Sequence, residues 1–247
     1  MAINPDSRNL QSELMDDPSL DDLEHRQALL GLRRINWWSR TDSAVWHAIK
    51  TLTSPASGAG PLTILDIASG GGDLAIRLAG IAKREQRAVC IDGCDISPTA
   101  IAFAAEQAVA AGLNNVRFHL CDALQQPFPQ ATYDVVMCSL FLHHLAQSDA
   151  VRFLQRMREA AVQLVLIDDL RRTAFGYWLA RLGCRILTSC HVVHVDGPMS
   201  VEGAFTTHEA HVLAEKAGLH GASIRMHWPQ RFLLTWRPGQ GDALERL

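Results

Sequence analysis

The stretch Ile64–Asp73, ILDIASGGGD, constrains this chain more than any other. Apolar or small residues surround one acid, Asp66; three glycines follow, then a second acid, Asp73. An apolar run of strand length that breaks at glycines and opens a helical pattern is a strand–turn–helix unit. Glycine lets the backbone pass close to a ligand and leaves amides free at a helix N-terminus. The open question is why carboxylates stand on both sides of such a bend.

Downstream, the two hydrophobic periods alternate. LTILDIA predicts a buried strand and Gly72–Lys83 a helix. AVCIDGCD is a second strand, followed by a helix with Ser97 as N-cap, Pro98 in its first turn and Gly112 as its stop. NVRFHLCD and YDVVMCSLF are further strands, Ser148–Ala160 a helix, and VQLVLIDD a fifth strand. Apolar strands alternating with helices imply a parallel sheet covered on both faces. Near the end, Thr206-x-x-Glu209 forms a capping box and Gly218 closes that helix. HGASIRMHW and RFLLTWRP are separated only by Pro229–Gln230, which permits only an antiparallel pair. The expected fold is α/β: a Rossmann-like, seven-stranded, mostly parallel sheet with its last strand reversed, helices on both faces, and a helical N-terminal extension.

Residues 1–60 read as that extension, a lid. A polar, loose start to residue 19 precedes a helix over Leu20–Ile35, a break near Ser39–Asp42, a second helix and the loop SPASGAGP. Residues 61–247 read as the main domain, with a lid insertion at about 171–205. In that insertion Phe175, Tyr177, Trp178, Leu182 and Ile186 predict a helix with a broad apolar face.

Composition narrows the partners. With 23 Lys+Arg against 26 Asp+Glu, the net charge is −3 and no basic stripe exists, which argues against nucleic acid. No apolar run is long enough for membrane insertion. The six cysteines show no Cys-x-x-Cys pair and lie mostly in apolar runs, as reduced core thiols of a cytoplasmic protein. No metal is expected. The sequence leaves the oligomeric state open.

Three acids close consecutive strands: Asp66, Asp95 and Asp122. In doubly wound sheets, ligands bind at the carboxyl ends of the strands. Gly70-x-Gly72-x-x-Ala75 is a loose dinucleotide fingerprint, so an NAD-dependent oxidoreductase is one reading. A pyrophosphate, however, is repelled by nearby carboxylates. Asp66 and Asp73 suit a cationic ligand better.

Taken together, ILDIASGGGDLAIRLA, GCDISPTAI, CDAL and YDVVMCSLFLHHL, in that order, with a reversed last strand, resemble the class I S-adenosylmethionine-dependent methyltransferases over about residues 62–237. The chain is moderately similar to the ubiquinone/menaquinone-type and small-molecule members. The resemblance implies S-adenosyl-L-methionine as cofactor, held by Asp66, Ala68, Ser69, Gly70, Gly72, Asp95, Ile96, Asp122, Ala123, Ser139 and Leu140. It places the methionine portion near Asp66 and Gly70, the ribose on Asp95, and the adenine between Ile96 and Asp122. Ser69 stands where many members carry glycine.

In this family the residues after the fourth strand face the transferred methyl; here they include His143 and His144, the candidate catalytic residues, where the quinone-type members carry Arg-Asn. Histidine suits proton transfer near neutral pH. Trp37, Arg171, His191 and His194 are the candidate substrate contacts; His191, His194 and Asp196 read either as contacts to acceptor hydroxyls or as ordinary loop residues of the insertion. Asp168 and Asp169 are expected to pair with Arg171 or Arg172 or to line the substrate cleft. The expected reaction is methyl transfer to a small, partly apolar acceptor, an aromatic hydroxyl or carbon of a secondary metabolite or quinone-like precursor. A macromolecule methyltransferase remains the other alternative.

Overall fold

The apolar runs become the strands of one twisted sheet. In the computed structural model, which describes residues 7–17, 19–52 and 54–239, they are β1 Leu62–Ile67, β2 Val89–Asp95, β3 Val116–Leu120, β4 Tyr133–Ser139, β5 Ala161–Leu170, β6 Ser223–His227 and β7 Arg231–Trp236. Their order is β3-β2-β1-β4-β5-β7-β6. β1 to β5 pair in parallel, while β7 runs antiparallel to both β5 and β6. The reversed last strand therefore lies inside the sheet, inserted between β5 and the edge strand β6.

The helices are α1 Asp22–Ser39, α2 Thr41–Ile49, α3 Asp73–Arg84, α4 Pro98–Ala110, α5 Gln147–Ala160, α6 Ala174–Leu187, α7 His191–Gly203 and α8 Thr207–Lys216. Their ends follow the local chemistry. Ser97 Oγ accepts from the Ala100 amide, and Thr206 and Glu209 form both halves of the capping box. α1 and α2 part at Arg40, which is left-handed at φ 55.

Alternation along each strand divides the core between the two faces. Leu65, Ile67, Val136, Val165 and Ile167 pack with Phe153 and Leu154 of α5 and Leu213 of α8. Ile64, Ile91, Val135 and Leu166 pack on the other face with Leu78 of α3 and with Val45, Trp46 and Ile49 of α2. α1 lies outside this sandwich. Its Ala28 clusters with Cys184 of α6 and Val192 and Val193 of α7, and its Leu29 with Ala100 and Phe103 of α4.

Two expectations are corrected. The stretch read as loose is anchored wherever it is described: residues 7–17 carry a 3-10 turn, Leu14–Asp16, and Arg8 donates to the carbonyls of His143, Leu145 and Gly203. Residues 1–6 and 18 lie outside the described residues, as do 240–247 at the other end. Secondly, His191, His194 and Asp196 lie not in a loop but in helix α7, which runs through Gly197 and Pro198. Packing overrides propensity there. Val192, Val193, Pro198 and Val201 are buried, and a Cβ at Gly197 would stand 2.4 Å from Cys184 Sγ, so glycine is what lets α6 and α7 approach. The predicted apolar face of α6 is real but exposed at Phe175, Trp178, Leu182 and Ile186.

The glycine bend separates two needs. Gly72 has φ 72, and a Cβ there would meet Phe118 of β3 at 2.4 Å and Ala104 of α4 at 2.9 Å. Gly70 has φ 51 but only Leu29, at 3.9 Å, near its would-be Cβ. Gly72→Ala combines left-handed strain with overpacking and is expected to lower the unfolding free energy by about 2–4 kcal/mol. Gly70→Ala adds strain alone, of about 1 kcal/mol. Urea denaturation of the two variants checks the order.

Candidate functional site

Strand order reverses direction between β1 and β4, which opens a crevice at their carboxyl ends. Both strands end on a non-glycine residue in the left-handed region: Ala68 at φ 53 and Leu140 at φ 56. Such strain persists where the surroundings over-determine the backbone, commonly at binding sites.

Asp95, at the end of β2, braces the crevice. Its Oδ2 accepts the Gly70 amide at 2.8 Å and its Oδ1 the Ser97 amide at 2.9 Å, so one carboxylate holds the glycine bend and the start of α4. Ile96 beside it is 68% exposed, an apolar side chain presented rather than buried. Asp122, after β3, accepts the Leu124 amide at 2.8 Å, and Ala123 is buried.

Asp66 is 2% exposed, and its Oδ2 has no hydrogen-bond partner among the described residues. The same holds for Ser69 Oγ and Asp73 Oδ2. Burial, then Asp73 and Asp95 nearby, push the Asp66 carboxyl well above the usual range. Burial also raises Asp73 against Arg77, Asn36 and Arg231, and raises Asp95 against its two backbone bonds. Unpaired buried carboxylate oxygens are costly, and a cation removes the cost. The residues at the bend therefore fit a positively charged ligand.

The other side of the crevice follows β4. Leu142–His144 is a 3-10 turn that buries His143. The carboxylate of Asp169 in β5 contacts His143 Nδ1 at 2.6 Å and accepts the His143 amide at 3.0 Å. His143 Nε2 stands 3.5 Å from Glu13 Oε1. Burial disfavours its charge, but Asp169 and Glu13 outweigh burial and push its pKa up to about 10. His144 places Nδ1 2.9 Å from Asp16 Oδ2 and Nε2 3.9 Å from Glu13 Oε1. The 3-10 turn over this site is itself anchored by Asp196, whose carboxylate accepts the Leu14 and Met15 amides. Burial raises the Asp196 pKa to about 6 against those two bonds. Arg8 completes the cover, its guanidinium 3.8 Å above the Phe205 ring.

Asp168 anchors the base of the crevice. It is fully buried and accepts from Ser139 Oγ at 2.8 Å and Arg231 at 3.2 Å, with His227 Nε2 at 2.6 Å. Burial raises its pKa, but Arg231, His227 and the Ser139 bond prevail and hold it below the usual range. Arg231 also donates to Thr41 Oγ1 and Asn36 Oδ1, joining β7 to α2 and α1. Arg172 donates to the Ala204 carbonyl and pairs with Glu209 at 2.8 Å.

The expected cofactor residues Asp66, Ala68, Ser69, Gly70, Gly72, Asp95, Ile96, Asp122, Ala123, Ser139 and Leu140 all lie on β1, β2 or β4 or in the turns after β1 to β4. The expected substrate residues are less concentrated. Trp37 is 71% exposed on α1, while its neighbour Trp38 packs edge-on against Trp228. The Arg171 amide donates to the Gln230 carbonyl. His191 is exposed at the start of α7, and His194 Nε2 stands 2.8 Å from the Thr188 carbonyl oxygen. Sequence reasoning missed Arg8, Glu13, Asp16, Asn36, Thr41, His227 and Arg231. Polar residues in a segment without periodicity, or far away in the chain, leave no local signal.

Residues 64–162 match a family model described as a methyltransferase domain. A demethylmenaquinone methyltransferase of Thermus thermophilus is 35% identical over 109 residues, covering 44% of this chain and 47% of that protein. A 27-O-demethylrifamycin SV methyltransferase of Amycolatopsis mediterranei is 32% identical over 114 residues, 44% of this chain and 40% of that one. The chain thus spans under half the length of these relatives. Human N-acetylserotonin methyltransferase, solved with S-adenosylmethionine, superposes with a TM-score of 0.65 at 18% identity, over 89% of this chain and 57% of that one.

Proposed function

We propose that this chain, whose residues 64–162 belong to the methyltransferase-domain family and whose fold is that of the class I S-adenosylmethionine-dependent methyltransferases, moves a methyl group from S-adenosyl-L-methionine to a small, partly apolar acceptor. One observation carries the reading: carboxylates crowd the glycine bend, and Asp66 and Asp73 each keep a buried oxygen unpaired among the described residues. A sulfonium and an ammonium meet that need; a pyrophosphate does not.

When bound, the cofactor supplies an electrophilic methyl on a sulfonium. The chain binds, orients and excludes water. Asp66, Ser69 and Gly70 would hold the methionine portion, Asp95 the ribose, and Ile96, Asp122 and Ala123 the adenine. Gly72 shapes the bend, while Ala68 and Leu140 set its walls. Ser139 is committed to Asp168 and acts by fixing the end of β4. His143, fixed by Asp169 through Nδ1 and facing Glu13 through Nε2, orients the acceptor's polar group; His144 is the more exposed of the pair. Helices α1, α6 and α7, with residues 7–17, form the cover over this region. Trp37, Arg171, His191 and His194 would reach the acceptor where that cover opens. No helix among the described residues is long and apolar enough to cross a membrane.

Small acceptors are supported by the names of the relatives, which concern a quinone and a rifamycin. Calorimetric titration is expected to give micromolar binding of S-adenosylhomocysteine and none of NADH. The opposite pattern restores the oxidoreductase reading. Incubation with donor and a panel of phenols and quinols, read by mass spectrometry, is expected to add 14 Da to at least one (about one CH₂ net).

A further inference from the structure

We propose that Glu13, His143 and His144 form a binding site for a borderline divalent transition-metal ion, zinc foremost, beside the methyl-transfer crevice. One ligand atom from each residue lies within 4.8 Å of the others, and the three belong to segments about 130 positions apart that the fold brings together.

The distances accommodate an ion. Glu13 Oε1 stands 3.5 Å from His143 Nε2 and 3.9 Å from His144 Nε2, both longer than ordinary hydrogen bonds. Two atoms each about 2.0–2.1 Å from one ion, at a tetrahedral angle, stand about 3.3 Å apart. Glu13 already stands within a few tenths of an ångström of that spacing from each imidazole, and with all three atoms within 4.8 Å of one another a closing of the two imidazoles brings the ligands onto one centre.

The surroundings are those of a built site. A metal-binding imidazole gives its second nitrogen to a carboxylate, which fixes tautomer and ring orientation. Both imidazoles here have that partner: Asp169 at 2.6 Å from His143 Nδ1 and Asp16 at 2.9 Å from His144 Nδ1. Each Nε2 is thereby aimed toward Glu13. Three carboxylates surround two imidazoles, with the Arg8 guanidinium set back on the His143 carbonyl. Ser200 Oγ donates to Glu13 Oε1, orienting the third ligand. Two histidines and one glutamate are a ligand set suited to zinc, with a fourth position left for water or an acceptor oxygen. The site departs from the metal-free expectation because Glu13 enters it from a segment with no periodic pattern.

The inference is tested independently of methyl-donor binding. The full-length chain is treated with chelator and titrated with Zn²⁺ in a competing-chelator assay, and with Co²⁺ by visible absorption. One equivalent of Zn²⁺ is expected to bind with a Kd below about 1 μM. Co²⁺ should give the intense bands of a four-coordinate ion. Glu13→Gln and His144→Ala are each expected to weaken Zn²⁺ binding at least about 100-fold, and Asp16→Asn about 10-fold. S-adenosylhomocysteine titration and thermal melting of each variant show that the fold survives; His144 and Asp16 are partly exposed, so their variants leave the core intact. Absence of stoichiometric binding overturns the proposal. So does binding unchanged in Glu13→Gln and His144→Ala, which would put the ion on another of the eleven histidines. Donor binding that persists without metal binding removes this inference and leaves the proposed function standing.

Discussion

Asp168→Ala is expected to lower the unfolding free energy by about 3–5 kcal/mol. Asp168 is 0% exposed, and the Arg231 it pairs with is 1% exposed. Removing the carboxylate leaves a guanidinium buried on Thr41 and Asn36 without its counter-charge, and frees Ser139 and His227. For a chain of this length each kcal/mol moves Tm by about 2–4 °C, so a fall of about 6–20 °C should appear in a thermal scan. Replacing both partners, as Asp168→Leu with Arg231→Met, should restore part of the loss, because no charge is then stranded. The pH dependence has a definite sign. The folded Asp168 carboxyl lies below its ordinary value of 3.8. Its stabilisation is full above that value and is lost as pH falls toward the folded pKa. Asp168→Ala should lack that acid limb. A melting curve like that of the wild type would show that the buried pair contributes little.

Asp66→Asn should act in two opposite directions. Asp66 is buried, with Asp73 and Asp95 raising its pKa beyond what burial alone does. Neutralising it removes a buried charge and its repulsions, so the ligand-free protein should melt about 2–4 °C higher, a gain of about 1 kcal/mol. The same change removes the acid that balances a cationic ligand, and binding of S-adenosylmethionine should weaken about 100-fold, or about 2.7 kcal/mol. A raised carboxyl pKa means the ligand-free protein loses stability as pH rises from 3.8 through the folded pKa. The cation favours the ionised acid, so donor affinity should rise over that window in the wild type and stay level in Asp66→Asn. Calorimetry in buffers of different ionisation heats reads the proton released. Binding unchanged in the variant would detach the acids from the donor.

Much of the crevice was legible because its signals are local. A buried strand, a glycine bend and a capped helix are properties of neighbouring residues, and β1, β2, β4 and the turns after them carry the expected cofactor positions. The reversed β7 was legible too, since a link of a few residues between β6 and β7 forbids a parallel crossover. That β7 lies between β5 and β6, rather than at the edge, was not. His143 and His144 were legible as polar groups after the fourth strand, but not their contacts. Asp169 and Asp16 supply those contacts, from 26 residues away in one case and 128 in the other.

The amino-acid pattern by itself determined the layer architecture, the strand count and the acids at the strand ends. Periodicity, turn chemistry and connection length act over a few residues and need no partner. Tertiary structure alone decided that Glu13 meets His143, that Asp168 meets Arg231, and that Gly197 and Pro198 stay within a helix. Those outcomes depend on which surfaces packing buries together, and on the desolvation and pairing of charges that follow.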